Sequence, residues 1–332
     1  MVGIPPILGI AKVCSPNVNF PERHAEMTSI PTTALPSLID WPRDEAAHDG
    51  YPWEIWWVTA RVRTGDRNLA VHVLFNRLAG GSISVGATIT DLDRDEELTR
   101  KLVAQPGEGV AAADELRLET ALCSFHGSFA KGYRLQASFD DGSGFDLTLS
   151  PTRPVLHNGG SGQYVFGGVT TTQYSIGFLQ TSGTVRLGGR ALAVTGDAWH
   201  DRQWDHWRRT SPLAFTWFGI CLTNGDTLSV FDTAGGPEAP ARQWATIARP
   251  DGTHIVAAVE LASSGVYATA LGRPVPPRWT LSVPALRARL ELGQRRVADS
   301  QPLYTGVLEI SGSYEGAEAG GYGFCDIGGP IS

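Results

Sequence analysis

Glycine and proline punctuate this chain so densely, 39 and 21 of its 332 residues, that only short segments remain between them to build regular structure. Those segments are rich in Val, Thr, Leu and aromatic side chains, the composition of strands rather than helices. Residues 53–63 and 69–78 alternate bulky with polar side chains on either side of a turn at 64–68, which predicts a hairpin. Residues 82–90 continue it. Strands are expected again at 115–125, 133–139, 145–149 and 172–176, and across 181–196, a hairpin turning at Gly188-Gly189. Further short strands are expected at 213–222, 227–232, 243–248, 254–261, 279–283, 304–311 and 321–327. One segment, 91–103, is acidic at its start and basic toward its end; it reads as a surface helix with Leu98 and Leu102 facing inward.

The chain therefore reads as all-β with few short helices. Consecutive strands joined by tight turns pair antiparallel, and closure into a barrel or sandwich is the simplest way to bury so many. Barrel closure also removes exposed edges. At this length two domains, or one large β domain, are expected. Residues 1–40, with scattered prolines and no sustained period, read as an irregular arm. Residues 41–205 read as a first β domain and 206–332 as a second.

The net charge of −7 is spread without a basic block, which argues against nucleic acid or an anionic membrane surface as partner. A small, hydrophobic molecule is the expected partner. Cys14, Cys123, Cys221 and Cys325 lie far apart, as free thiols in a reducing compartment do. The apolar run 4–10 is interrupted by Pro5-Pro6 and precedes its only cation, Lys12, unlike a secretory signal. No stretch reaches the ~20 apolar residues of a membrane span. A soluble, cytoplasmic protein is expected.

Within this charge-poor setting one stretch stands apart, Gly196-Asp197-Ala198-Trp199-His200-Asp201-Arg202-Gln203-Trp204-Asp205-His206-Trp207. Burying so many ionisable groups is costly unless each has a partner. On a strand, Asp197, Trp199, Asp201 and Gln203 share one face, and Ala198, His200, Arg202 and Trp204 the other. A carboxyl at Asp201 against the Trp199 indole is desolvated, which raises its pKa and permits general-acid work; Arg202 nearby would lower it. The alternative is a Trp-lined corner holding two domains, with Asp201 paired to Arg202. His200 and His206 lack His-x-His spacing, so no metal is expected. A G-x-S-x-G elbow and a phosphate-binding loop are both absent from the sequence.

Tyr174-Ser175, Thr181-Ser182-Gly183-Thr184-Val185, Leu187-Gly188-Gly189, Val194-Thr195-Gly196 and Trp199-His200-Asp201-Arg202-Gln203-Trp204 together resemble the AttH-like and carotenoid hydratase superfamily of lipocalin-like proteins. Asp44-Glu45-Ala46-Ala47-His48 with Trp56-Trp57 is similar to that family's D-H-x-x-H…E-W-W-Y opening. Leu303-Tyr304-Thr305-Gly306 with Gly321-Tyr322 is similar to its closing segment. The resemblance implies two lipocalin-like antiparallel β-barrel domains, a ligand cavity and no cofactor. It also implies membership among carotenoid hydratases, which add water to an isoprenoid double bond by acid catalysis, and cyclases that include Diels-Alderases. The motif aspartate of the hydratases maps to Asp201, and His200 matches their form of the motif. Glu45 replaces the first histidine of the opening pattern, Ile55 and Val58 replace its Glu and Tyr, and Glu54 falls one residue early. Asp205 replaces a glycine, and Phe324-Cys325-Asp326 stands where an apolar residue and Glu are usual.

Because these departures fall on polar positions while the aromatics remain, the leading expectation is a cofactor-independent cyclase of polyketide-type metabolism. It would fold an apolar polyene for cycloaddition by shape and orientation. Trp56, Trp57, Trp199, Trp204 and Trp217 would wall the pocket with Glu54 beside them, and Asp201, His200 and Tyr174 would be its catalytic polar groups. The runner-up is a hydratase or acid-catalysed isoprenoid cyclase, with Asp201 as acid and indole faces stabilising a cation. A non-catalytic carrier of a hydrophobic ligand is the third expectation.

Overall fold

The structure, a computed structural model, describes residues 37–206, 214–234, 241–268, 274–300 and 303–329. The expected arm therefore lies outside the described residues except for 37–40, as do Cys14 and Trp207.

The first sheet is built from β1 (Trp53–Thr64), β2 (Arg67–Leu78), β3 (Ile83–Asp91), β4 (Glu96–Ala104), β5 (Val110–Ala111), β6 (Leu116–Glu119), β7 (Cys123–Ser128), β8 (Gly132–Ser138), β9 (Gly144–Pro151), β10 (Leu156–His157), β11 (Gln163–Phe166), β12 (Val169–Leu187) and β13 (Arg190–Asp205). Its order is β4-β3-β2-β1-β13-β12-β9-β8-β7-β6-β5, with β10 and β11 paired to β12. The outermost strands, β4 and β5, follow one another in sequence, so the sheet has to curl back on itself.

The second sheet uses β14 (Phe215–Leu222), β15 (Thr227–Thr233), β16 (Arg242–Ala248), β17 (His254–Ala258), β18 (Glu260–Ser264), β21 (Arg278–Val283), β22 (Ala288–Ser300), β23 (Leu303–Tyr314) and β24 (Ala317–Gly328). A separate ribbon pairs β19 (Tyr267–Ala268) with β20 (Pro274–Val275). Here too the ends of the order, β17 and β18, are consecutive and are joined at Val259. The molecule is thus nearly all-β, two curled antiparallel sheets forming barrel-like units. Helix among the described residues is confined to short 3-10 turns at Arg43–Glu45, Asn158–Gly160 and Pro284–Leu286.

The β12–β13 hairpin turns at Gly188 and Gly189, with φ of 55° and 80°. Two successive positive φ angles make the tight turn that matches strand twist, and glycine adopts them without a Cβ penalty.

The expected helix at 91–103 is a correction. Asp91 ends β3, its Oδ1 accepts from the backbone N–H groups of Asp93 and Arg94, and β4 returns from Glu96. Leu98 and Leu102 do share a face. Residues four apart, however, share a face in a strand as well as in a helix, so their spacing could not decide. The strand expected at 115–125 is likewise two, β6 and β7, broken where Thr120 Oγ1 accepts from the N–H groups of Leu122 and Cys123. The strand expected at 254–261 is divided at Val259 between the two ends of its sheet.

Most of β1, residues 171–177 of β12 and residues 198–205 of β13 are buried on both faces. Trp56, Val58, Ala60, Tyr174, Ile176, Ala198 and Trp204 belong to the core inside the first sheet. Trp57 and Trp199 belong to a second cluster with Trp217, Cys221, Phe231 and Phe324 of the second sheet. The second sheet encloses a core of its own around Phe218, Leu228, Leu290 and Tyr304.

Candidate active site

β13 pairs with β1 and β12 on either side, so Asp201 stands opposite Trp57 and Ser175, and Arg202 opposite Trp56 and Tyr174. Strand alternation then sends the charged cluster in two directions. The sheet separates His200, Tyr174, Trp56, Trp204 and Glu54, on the inner side, from Asp201, Trp199, Trp57 and Trp217, between the sheets.

On the inner side Arg202 is fully buried. Its Nη2 is ion-paired to Glu54 Oε2 and donates to the carbonyl of Ala46 at 2.9 Å, while Nη1 donates to the carbonyl of Gln203 at 3.0 Å. The guanidinium lies 3.9 Å from the Trp56 ring centroid and 4.8 Å from that of Trp204. Glu54 Oε1 accepts from the backbone N–H of His48 at 2.8 Å and from Arg77 Nη1 at 3.2 Å. His48 Nε2 meets Asp44 Oδ1 at 3.1 Å. Both oxygens of Glu54 are thus engaged, and the pair ties the segment before β1 to the sheet.

Deeper in the same barrel, Glu45 Oε1 accepts from Tyr133 Oη at 2.6 Å and from the Phe129 N–H at 2.8 Å. Burial outweighs those bonds and raises its pKa. His200 Nδ1 contacts the Trp57 carbonyl at 3.1 Å, and its ring packs edge-on against Phe125, Tyr133 and Tyr174. Burial lowers its pKa to about 3, so it is neutral. His200 Nε2 and Tyr174 Oη are buried and have no hydrogen-bond partner among the described residues.

Asp201, between the sheets, has a different environment. Its Oδ1 accepts from Trp199 Nε1 at 2.8 Å, and the side chains of Ser175 and Gln173 also bond it. Desolvation by burial overrides those three bonds and lifts its pKa to about 7. Arg202 gives it no compensating charge, since that guanidinium is on the opposite face. Trp199 packs edge-on against Trp217 at 5.6 Å and fits over Gly219, where an added Cβ would lie 2.8 Å from its ring. Trp57 Nε1 is buried without a hydrogen-bond partner among the described residues.

The network around Asp201 reaches the surface. Tyr164 Oη donates to Gln173 Oε1, and Asn158 Nδ2 donates to Ser175 Oγ at 2.9 Å. Tyr164 in turn lines a cleft of about 440 Å³ with Gly159, Gln163, Val165, Arg242, Gln243, Trp244, Val256, Ala257 and Ala258. Trp244 is stacked on Phe231, centroids 4.9 Å apart and planes 13° apart, and Tyr164 lies 5.8 Å from Trp244. Two backbone contacts cross between the sheets here: the N–H of His157 donates to His254 Nε2 at 2.9 Å and that of Gly159 to Thr246 Oγ1 at 3.0 Å. Tyr164, Gln173, Trp244 and Arg242 carry no motif and were not anticipated from the sequence. Glu45 had one signal, its place at a position where the resembled family has histidine. Among the described residues no three His, Cys, Asp or Glu side chains converge as a metal site.

Two nearly closed antiparallel barrels, the first carrying a buried polar motif on β13, define a lipocalin-like double-barrel protein. The chain belongs to the AttH-like family, which it matches over residues 33–329. It is 26% identical over 202 residues to the dehydratase asqC of Emericella nidulans; the matched part covers 55% of this chain and 57% of that protein, little over half of the relative's length. Its fold is that of an AttH protein of Nitrosomonas europaea, with TM-score 0.75, 20% identity and coverage of 91% and 98% of the two chains. Kievitone hydratase of Nectria haematococca is similar at TM-score 0.73 and 19% identity, covering 88% and 93%. CghA with Sch210972 is a more distant match, TM-score 0.55 at 12% identity, covering 84% and 89%. Relatives whose names state an activity are thus a dehydratase and a hydratase.

Proposed function

We propose that this protein is an enzyme that adds water to, or removes it from, an unsaturated apolar molecule by acid catalysis, with Asp201 as the acid. The observation that carries the reading is a carboxyl buried among indoles, without a cationic partner, whose pKa of about 7 leaves about half of it protonated at neutral pH. In the hydration direction Asp201 gives its proton to an alkene carbon. The Trp199 and Trp217 faces stabilise the cation, water attacks it, and the water's proton returns to the carboxylate. Dehydration is the reverse, with the proton delivered to a leaving hydroxyl. Gln173, Ser175 and Trp199 hold the carboxyl in place, and Tyr164 separates it from the cleft, so its ring has to turn aside as substrate enters. The names of the dehydratase and hydratase relatives support this reading.

The buried, unpartnered Trp57 Nε1 favours a second reading, an intramolecular cycloaddition in which this donor polarises a carbonyl and the aromatic walls fold the polyene. One experiment separates the two. The wild type and Asp201→Asn are incubated with a panel of conjugated alkenes and allylic alcohols, and products are followed by mass spectrometry. Water addition or loss should appear with the wild type and fall by about 10³-fold in the variant. A product of unchanged mass that the variant still forms would replace the acid reading with the cycloaddition. Ligands bound but returned unchanged would make the protein a carrier.

A further inference from the structure

The cleft in front of Tyr164 is chemically one-sided. Its aromatic wall is Trp244 and Tyr164, with Phe231 stacked behind the Trp244 ring. The facing lining is small and aliphatic, and Val165 and Val256 are 48% and 42% exposed, as at the mouth of a site that receives an apolar body. Its polar side chains are not equivalent. Gln243 Oε1 already accepts from the Leu261 N–H at 3.1 Å, and Gln163 Nε2 contacts Thr172 Oγ1 at 3.4 Å. Arg242, by contrast, makes no side-chain hydrogen bond or ion pair with any described residue. It opens β16 two residues before Trp244, so alternation puts its guanidinium over the same face as that indole.

We propose that this cleft binds a planar conjugated molecule carrying an anionic oxygen, with its π system against Trp244 and Tyr164 and its charge on Arg242. A guanidinium offers paired N–H donors to an anionic oxygen, and its attraction is strongest beside an apolar wall that excludes water. On a chain of net charge −7 it also gives an approaching anion a local target. The proposal rests on reading the cleft as the way to Asp201, and it narrows the substrate from any apolar alkene to a conjugated acid or enolate.

The test uses two dyes with one ring system. 1-Anilinonaphthalene-8-sulfonate carries an anionic group, and N-phenyl-1-naphthylamine lacks it. Binding is read by dye emission and by quenching of tryptophan fluorescence. The wild type should bind the sulfonate about tenfold more tightly than the neutral dye. Arg242→Gln should remove that difference while leaving the neutral dye unchanged, and Trp244→Ala should weaken both. Equal affinity of the wild type for the two dyes, an Arg242→Gln protein that binds the sulfonate as the wild type does, or no binding to the wild type would each overturn the proposal. Asp201→Asn should bind both dyes normally. Loss of turnover in that variant, with Arg242→Gln indistinguishable from wild type, would therefore reject the anion and keep the acid.

Discussion

Asp201 and Arg202 are adjacent in sequence and never meet, because a strand sends consecutive side chains to opposite faces. Each then takes its electrostatics from a different environment: Arg202 pairs with Glu54 over Trp56, and Asp201 is left among neutral donors. The pH dependence of Asp201 follows in sign. Its folded pKa, about 7, lies above the unfolded 3.8, so its contribution is fully present below pH 3.8 and is lost as pH rises through about 7. Asn keeps an acceptor for Trp199 Nε1 and has no charge to bury. Asp201→Asn should therefore gain stability over the wild type by about 2–3 kcal/mol between pH 5 and pH 8, read from urea midpoints at the two values. A difference independent of pH would show that the carboxyl is not buried unpaired. The two faces of β13 were legible in the sequence because alternation alone defines them. What Asp201 touches was not, since Tyr164 and Gln173 approach from β11 and β12 by pairings that no local pattern encodes.

At the scale of elements, the acidic segment expected as a helix does a different task. The β3–β4 turn and the start of β4 meet β22 of the second sheet, where Arg295 donates to the Leu92 carbonyl. Arg296 pairs with Glu97 at 2.5 Å and with Asp95 at 3.0 Å. The charge order that resembles helix-dipole compensation is thus an ion-pairing surface for another part of the chain. A long-range partner 199 residues away has no trace in a window of thirteen. Hairpins were easier to read, since β1–β2 and β12–β13 announce themselves by turn residues and alternation within one window. Arg296 and Glu97 are 18% and 17% exposed, so their pair is screened less than a surface one. A double-mutant cycle with Arg296→Met and Glu97→Gln should give a coupling of about 1–2 kcal/mol in urea unfolding, largely retained in 0.5 M salt. A coupling near zero would mean that the sheets are held by the Trp57–Trp217–Phe324 contacts without help from this pair.

For the molecule as a whole, the first core and the boundary between the sheets bury histidines that cannot accept a second proton where they stand. Burial lowers His72 to about 4 and His200 to about 3, and His157, beside His254, to about 4. Each lies below the unfolded value of 6.5, so between pH 6.5 and about 4 the unfolded chain binds more protons and stability falls with pH. His72 and His200 each remove about 3 kcal/mol by pH 4, while Asp201 opposes them by a comparable amount only once. His72 sits at the Trp57 contact, 5.4 Å between rings, and His200 inside the first barrel, so the first core and the cluster between the sheets lose support over the same interval. Acid unfolding should accordingly be cooperative and centred between pH 4 and 6, above the range in which exposed carboxylates titrate. The measurement is tryptophan fluorescence and near-ultraviolet circular dichroism from pH 8 to 3. His72→Gln, which keeps a polar partner for Thr59 Oγ1 but cannot charge, should move the midpoint downward. A midpoint unmoved by that change, or a fold intact at pH 3.5, would place these imidazoles in contact with solvent rather than in the cores.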